Sequence, residues 1–158
     1  AGVARGIVAH AGLAERVDVR TGTLTDHLHT LGEPFDVVFL DHWKDEYLPD
    51  LKRLESAGLL RSGSIVVADN VGAVEVPDYL DYVRNSGGYR STFHESTVEY
   101  NPNIRDGVEV SVRLKTEGRA RQCALDLSPE PSALCQHAVP ALRSSSPALP
   151  RTVYAARA

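Results

Sequence analysis

Phe35-Asp36-Val37-Val38-Phe39-Leu40-Asp41-His42-Trp43-Lys44 is the stretch that decides the fold. Its first six residues are a nearly continuous apolar run, typical of a parallel strand covered on both faces. Charged and polar residues follow at once. A second stretch repeats the arrangement: Ser64-Ile65-Val66-Val67-Ala68 runs straight into Asp69-Asn70. Between them, Leu48, Leu51, Leu54 and Ala57/Gly58 recur at helical spacing over residues 47–58. Strand, helix, strand in that order defines an α/β class with a largely parallel sheet.

Outward from this unit the same texture continues. Residues 1–12 suit the end of a helix closed by Gly12, and Val17-Asp18-Val19-Arg20 reads as a short strand. Leu24 to Leu31 reads as a short helix stopped by Gly32 and Pro34, and Pro77 to Asn85 as a helix that opens with proline. Tyr89 to Tyr100 and Val108 to Lys115 read as strands joined by the turn-rich segment 101–107. This last pair is expected to be an antiparallel hairpin.

The 158 residues suit one domain with a real core. Hydrophobic residues make up 42% and charged residues 24%, a globular profile. The net charge of -4 gives no support for nucleic-acid binding. No apolar run reaches the roughly 18 residues of a membrane span, and the first residues lack the apolar centre of a secretory signal. The chain has no methionine, not even at its start, and so reads as a fragment of a longer product. Cys123 and Cys135 are too few for a disulfide framework, so a reducing, cytoplasmic setting is expected. No internal repeat is present.

The composition shifts after Gly118. Residues 119–158 hold five of the nine prolines, and five arginines against two acids, Asp126 and Glu130. The segment has little apolar surface to set against its ordering entropy. It is expected to be a Pro/Ser/Ala-rich disordered tail, with room for a short helix around 131–139. The domain is then 1–118 and the tail 119–158.

The chemistry sits at the two strand ends. In a parallel pair both C-terminal ends lie at one sheet edge, where open α/β sheets bind ligands. Strands are about 4.8 Å apart, so Asp41, Asp69 and Asn70 can converge. Three oxygen-bearing side chains suit Mg²⁺, Mn²⁺ or Ca²⁺ rather than Zn²⁺, and few ligands with room for water favour Mg²⁺. The plainer alternative is that these residues cap turns and helices. Lys44, three residues past Asp41, is a candidate general base, because a lysine near a divalent cation and out of water loses its proton more readily. The plainer alternative is an ion pair with Asp41 or Asp45. Trp43, the only tryptophan, could wall an aromatic pocket or belong to the core, and His42 is equally open. Glu99 could accept a substrate hydroxyl or be a solvated edge charge. Thr21-Gly22-Thr23 lets a ligand approach the backbone, a weak signal. No Gly-x-Gly strand-to-helix turn occurs anywhere.

The stretch Val38-Phe39-Leu40-Asp41-His42-Trp43-Lys44-Asp45-Glu46-Tyr47-Leu48-Pro49-Asp50 resembles catechol O-methyltransferase. So do Gly58 to Val71, Pro77-Asp78-Tyr79-Leu80, Val98-Glu99-Tyr100 and Asp106-Gly107-Val108-Glu109, and the likeness spans roughly residues 5–118. The resemblance implies a Rossmann-like S-adenosylmethionine-dependent methyltransferase fold. It implies Mg²⁺-dependent transfer of a methyl group to one hydroxyl of a catechol. Asp41, Asp69 and Asn70 match the Mg²⁺ ligands, Lys44 the general base, and Glu99 the carboxylate that orients the catechol. Trp43 matches a pocket wall, and His42 and Gly22 match contacts to the cofactor. A monomer acting on a small molecule, away from nucleic acid and membrane, is expected.

Leu24 and Thr25 stand where the family has Ser and Gln, Val74 where the mammalian enzyme has a pocket proline, and the tail has no family counterpart. The family's first strands, with the glycine-rich cofactor loop and the ribose-binding acid, have no match here. In the family they lie centrally, between this chain's first strand and Val37–Leu40. The fold is therefore expected to be incomplete, with an exposed edge on Val37–Leu40 and no activity by residues 1–158 alone. The alternatives are a non-catalytic remnant that binds metal and catechol and, last, an interaction module acting through the tail.

Overall fold

A computed structural model describes residues 1–98 and 100–115, and the backbone of 152–156. Its sheet has five strands: β1 (Phe35–Asp41), β2 (Leu60–Ala68), β3 (Tyr89–Val98), β4 (Asn101–Arg113) and β5 (Thr152–Ala156). Their spatial order is β3-β4-β2-β1-β5. β1 runs parallel to β2 and β5, while β4 is antiparallel to both β2 and β3. The expected mixture of a parallel unit with a C-terminal antiparallel hairpin is what forms.

Among the described residues four α-helices accompany the sheet: α1 (Gly2–His10), α2 (Leu24–His27), α3 (Tyr47–Ser56) and α4 (Pro77–Asn85). Pro77 opens α4 with its fixed φ, Asp78 sits in its first turn and Arg84 in its last, each favoured by the helix dipole. Tyr47, Leu51 and Leu54 of α3 and Tyr79 and Val83 of α4 are buried in one cluster with Val38, Leu40, Val66 and Ala68 of the sheet. Each such Leu or Val contributes about 1.5–3 kcal/mol.

Four expectations change. β1 is not covered equally on both faces: Phe35, Val38 and Leu40 are buried, while Val37 and Phe39 are half-buried. The helices α3 and α4 cover one face, and α1 buries none of its residues. Val17–Arg20 forms no strand. Among the described residues it has no strand neighbour; instead the Arg5 guanidinium donates to the Val19 carbonyl. The segment 101–107 is not a loop but the first part of β4, which pairs with β3 from Val98↔Asn101 onward. The register breaks between Thr97↔Arg105 and Val98↔Asn101, so Pro102 falls in an irregularity where its missing N–H costs no ladder bond.

The fourth change concerns the tail. Within 119–158, Thr152–Ala156 form β5 and pair in register with β1 from Val37↔Thr152 to Asp41↔Ala156. The edge of Val37–Leu40 is therefore covered. A strand rich in β-branched and aromatic residues satisfies backbone groups that would otherwise stand open beside a buried row. The rest of the expected tail, including the helix at 131–139, lies outside the described residues.

Candidate active site

The register of β1 and β2 builds the site. Leu40 pairs with Ala68, so Asp41 and Asp69 leave the sheet side by side, and the Asp69 amide donates to the Leu40 carbonyl at 3.0 Å. Asn70 follows with φ +56°, a left-handed conformation that asparagine tolerates better than most residues. The Asp69 carboxylate accepts from the Asn70 amide at 2.8 Å.

Lys44 lies at the centre. Beyond β1, residues 44–46 form a 3₁₀ turn that leads into α3 and carries the lysine back over the strand ends. Its Nζ donates to Tyr47 Oη at 2.6 Å, Asp69 O at 3.0 Å and Asn70 Oδ1 at 3.1 Å, and lies 3.6 Å from Asp41 Oδ1. The structure thus brings Asp41, Lys44, Asp69 and Asn70 together. Lys44 is largely buried and lies against Asp41 as part of this cluster.

The cluster is crowded with negative charge. Burial raises the Asp69 pKa, and the nearby Asp41 and Asp106 charges raise it further, against a lowering hydrogen bond from Asn70 and the Lys44 charge. The buried Tyr47 phenol is likewise pushed far up, first by burial and then by Asp41 and Asp69. It stays protonated, and its O–H points to the Leu40 or Asp69 carbonyl at 2.8 and 3.0 Å.

The other candidates are placed differently. His42 turns inward, with Nε2 3.1 Å from the buried Asp50 carboxylate and its ring 5.1 Å from that of Tyr47. Asp50 also accepts from Arg53 at 2.6 Å. Burial opposes its ionisation, but the close His42 ring and the bond from Arg53 prevail and its pKa is lowered. Trp43 is 60% exposed, and its indole donates to Asp45 Oδ2 at 3.0 Å. Gly22 has φ +122°, and a Cβ there would come within 2.8 Å of Asp26 Oδ2. It therefore permits the capping box that Thr23 and Asp26 make at the start of α2. Val74 is exposed. Glu99 lies outside the described residues.

Two participants were not assigned from sequence. Tyr47 carries no role of its own in the sequence reading, where it is one residue of the motif stretch. Asp106 has no assigned role in the sequence motif, yet it is buried and accepts from Asn70 Nδ2 at 2.9 Å, Ala73 N at 2.9 Å and Gly72 N at 3.2 Å. Burial raises its pKa, but these bonds and one from Gly107 outweigh burial and hold it low. An Asp-Gly pair in a turn-rich segment was the local signal.

The donor set suits a hard divalent cation: two carboxylates and one amide oxygen, in a field that already draws an ammonium to Asp41 and Asn70. No group of three or more His, Cys, Asp or Glu that could hold a metal occurs among the described residues. The third oxygen here is that of an amide.

A solved O-methyltransferase from Bacillus cereus, in complex with SAH, shares this architecture with a TM-score of 0.61 at 22% identity, over 71% of this chain and 57% of that one. The fold is that of the α/β O-methyltransferases. No family model matches the chain. Catechol O-methyltransferase B of Danio rerio is 48% identical over 117 residues, 71% of this chain and 44% of the relative. Catechol O-methyltransferase of Sus scrofa is 44% identical over 117 residues, 71% of this chain and 62% of the relative. By sequence the chain is similar to these catechol O-methyltransferases over 117 residues. It spans about half the length of these relatives.

Proposed function

We propose that this chain provides the metal and substrate side of a Mg²⁺-dependent catechol O-methyltransferase that takes its methyl group from S-adenosylmethionine. The observation that carries this reading is the Leu40↔Ala68 register, which sets Asp41 beside Asp69-Asn70 with Lys44 Nζ among their oxygens.

Asp41, Asp69 and Asn70 would hold the cation. Mg²⁺, when bound, supplies positive charge that favours both an ionised catechol oxygen and a neutral lysine. Lys44 Nζ would take the proton of the hydroxyl to be methylated; that oxygen would bond to the donor's methyl carbon as the carbon–sulfur bond breaks, and the electron pair would leave with sulfur as S-adenosylhomocysteine. Tyr47 keeps Nζ in position by accepting one of its hydrogen bonds. Trp43 offers an exposed aromatic face for the catechol ring, and Glu99 a carboxylate for its hydroxyls. Gly22 and His42 are assigned to the cofactor side through the family resemblance. Much of the rate comes from orientation. A small-molecule substrate, a monomeric state and a cytoplasmic setting belong to the same reading. No helix among the described residues is long and apolar enough to cross a membrane.

A second reading has one observation in its favour. The sequence contains no glycine-rich strand-to-helix turn for the cofactor, so residues 1–158 by themselves could bind metal and catechol without turnover. The separating experiment supplies Mg²⁺, a catechol and labelled S-adenosylmethionine to this chain and to a chain extended to the full span of the relatives. Methylation by the extended form supports the proposal. Metal and catechol binding by both forms, with turnover by neither, favours the second reading.

A further inference from the structure

Asp106 lies on β4, 36 residues from Asn70 in sequence and outside the set of ligands assigned above. Its Oδ2 accepts from Asn70 Nδ2 at 2.9 Å, while its Oδ1 accepts from the backbone amides of Gly72 at 3.2 Å and Ala73 at 2.9 Å. Next to it, Gly107 O accepts from Val71 N at 3.1 Å. The start of the loop after β2 is thus fastened to one point of β4. The packing is close: a Cβ on Gly72 would lie 2.6 Å from the Asp106 backbone.

An ionised carboxylate can only accept hydrogen bonds. The group that Asn70 turns toward Asp106 must therefore be its NH₂. Its Oδ1 is then forced to the opposite side, where it meets Lys44 Nζ at 3.1 Å. An asparagine amide is otherwise free to present either end, and an NH₂ facing a cation repels it. The left-handed backbone of Asn70 fixes where the side chain starts, but not which end of the amide faces the cation.

We propose that Asp106 is a positioning residue that sets the rotational state of the Asn70 amide, so that oxygen and not nitrogen is offered to the divalent cation. The inference rests on the metal reading above. Partners that orient metal ligands are typically worth about 10–100-fold in metal affinity.

Asp106→Asn is the discriminating variant, because it keeps shape and removes only the acceptor-only character. The new amide has one oxygen and one NH₂ for two demands that both require an acceptor. If its oxygen serves Gly72 and Ala73, its NH₂ faces Asn70 and favours the flipped Asn70 amide. If it turns over, it opposes the backbone amides. Combining Asp106→Asn with Asn70→Asp reverses the pair: the new amide donates to the new carboxylate, whose second oxygen is free for the cation.

The test uses the 158-residue chain and two readouts. The first is Mn²⁺ affinity from electron paramagnetic resonance; the second is the Asn70 side-chain NH₂ signal in a metal-free ¹H–¹⁵N spectrum. Asp106→Asn is expected to shift the Asn70 NH₂ signal and weaken Mn²⁺ binding about 10–100-fold. The double variant is expected to return Mn²⁺ affinity to within a few-fold of the parent. A rescue of this kind would not follow if Asp106 served only to hold the loop. An unchanged Asn70 signal, or parental Mn²⁺ affinity in Asp106→Asn, overturns the proposal. So does a double variant that folds but binds no better than the single one. If the parent chain binds no Mn²⁺, the metal reading falls, and the NH₂ signal alone then decides whether Asp106 orients Asn70.

Discussion

Lys44 Nζ donates to the phenol oxygen of Tyr47 across 2.6 Å, and that phenol is wholly buried between the ends of β1 and β2. The tyrosine accepts from the lysine and passes its own hydrogen to the Leu40 or Asp69 carbonyl. One core side chain therefore locks the candidate base to both strands that carry the candidate ligands. Tyr47→Phe would remove one hydrogen bond from Lys44 Nζ and one from a strand-end carbonyl, although Leu40 O keeps the Asp69 amide and Asp69 O keeps Lys44 Nζ. The expected loss is about 0.5–1.5 kcal/mol of stability, the usual net worth of a hydrogen bond whose partners keep others. Urea unfolding of the two proteins measures it, and an unchanged midpoint would show that water replaces the phenol without cost.

Asp69→Ala removes a hard ligand and one charge from the cluster. Isothermal titration with Mg²⁺ is expected to lose its saturable phase, and a chain extended to the relatives' span is expected to lose methyl transfer. Binding as tight as the parent's would remove Asp69 from the ligand set.

Lys44→Ala is expected to act on turnover alone. In the extended chain kcat should fall by about 10²–10⁴-fold, the worth of a positioned base, with little change in cofactor affinity. Loss of cofactor affinity with kcat retained would instead make Lys44 a purely structural partner of Asp41.

The strand ends were legible because a nearly continuous apolar run that turns abruptly polar has few other readings in an α/β chain. The convergence of Asp41, Asp69 and Asn70 followed from strand spacing alone. Other features depended on contacts remote in sequence. Val17–Arg20 has strand composition but finds no strand neighbour among the described residues, and composition cannot report that. Asn101–Arg105 has turn composition, yet pairing with the end of β3 draws it into β4. His42 reads as polar and available from its place in the motif, while α3 brings Asp50 to within 3.1 Å of it. Asp106 acts across 36 residues of chain, beyond any local pattern.

Asp50 predicts a pH dependence. Its folded pKa lies below the ordinary 3.8, because the close His42 ring and the bond from Arg53 outweigh burial. A lowered acid pKa adds stability that is fully present above about 3.8 and is lost as pH falls through the folded value. The stability gap between the parent and Asp50→Asn should therefore be constant from pH 7 down to about pH 5 and shrink below pH 4. Urea midpoints across that range test it. A gap that persists unchanged at pH 2 would mean that the charge of Asp50 contributes nothing and only its shape matters.

The pairing of β5 with β1 sets the last prediction. Val38 and Leu40 are buried, yet their strand would end the sheet if Thr152–Ala156 were absent. The backbone groups that β1 now offers to β5 would then face water beside a row of apolar side chains, the arrangement that invites pairing with another chain. Had 119–158 been a tail without a place in the fold, its removal would be silent. With β5 in register from Val37 to Asp41, deleting residues 152–158 should lower the melting temperature and promote self-association. The effect should reach the site, because Asp41 is the last β1 residue that β5 pairs with. Light scattering and thermal unfolding of the truncated chain measure both consequences. A truncated chain that stays monodisperse, melts with the parent and binds Mg²⁺ equally well would show that β1 needs no partner on that side.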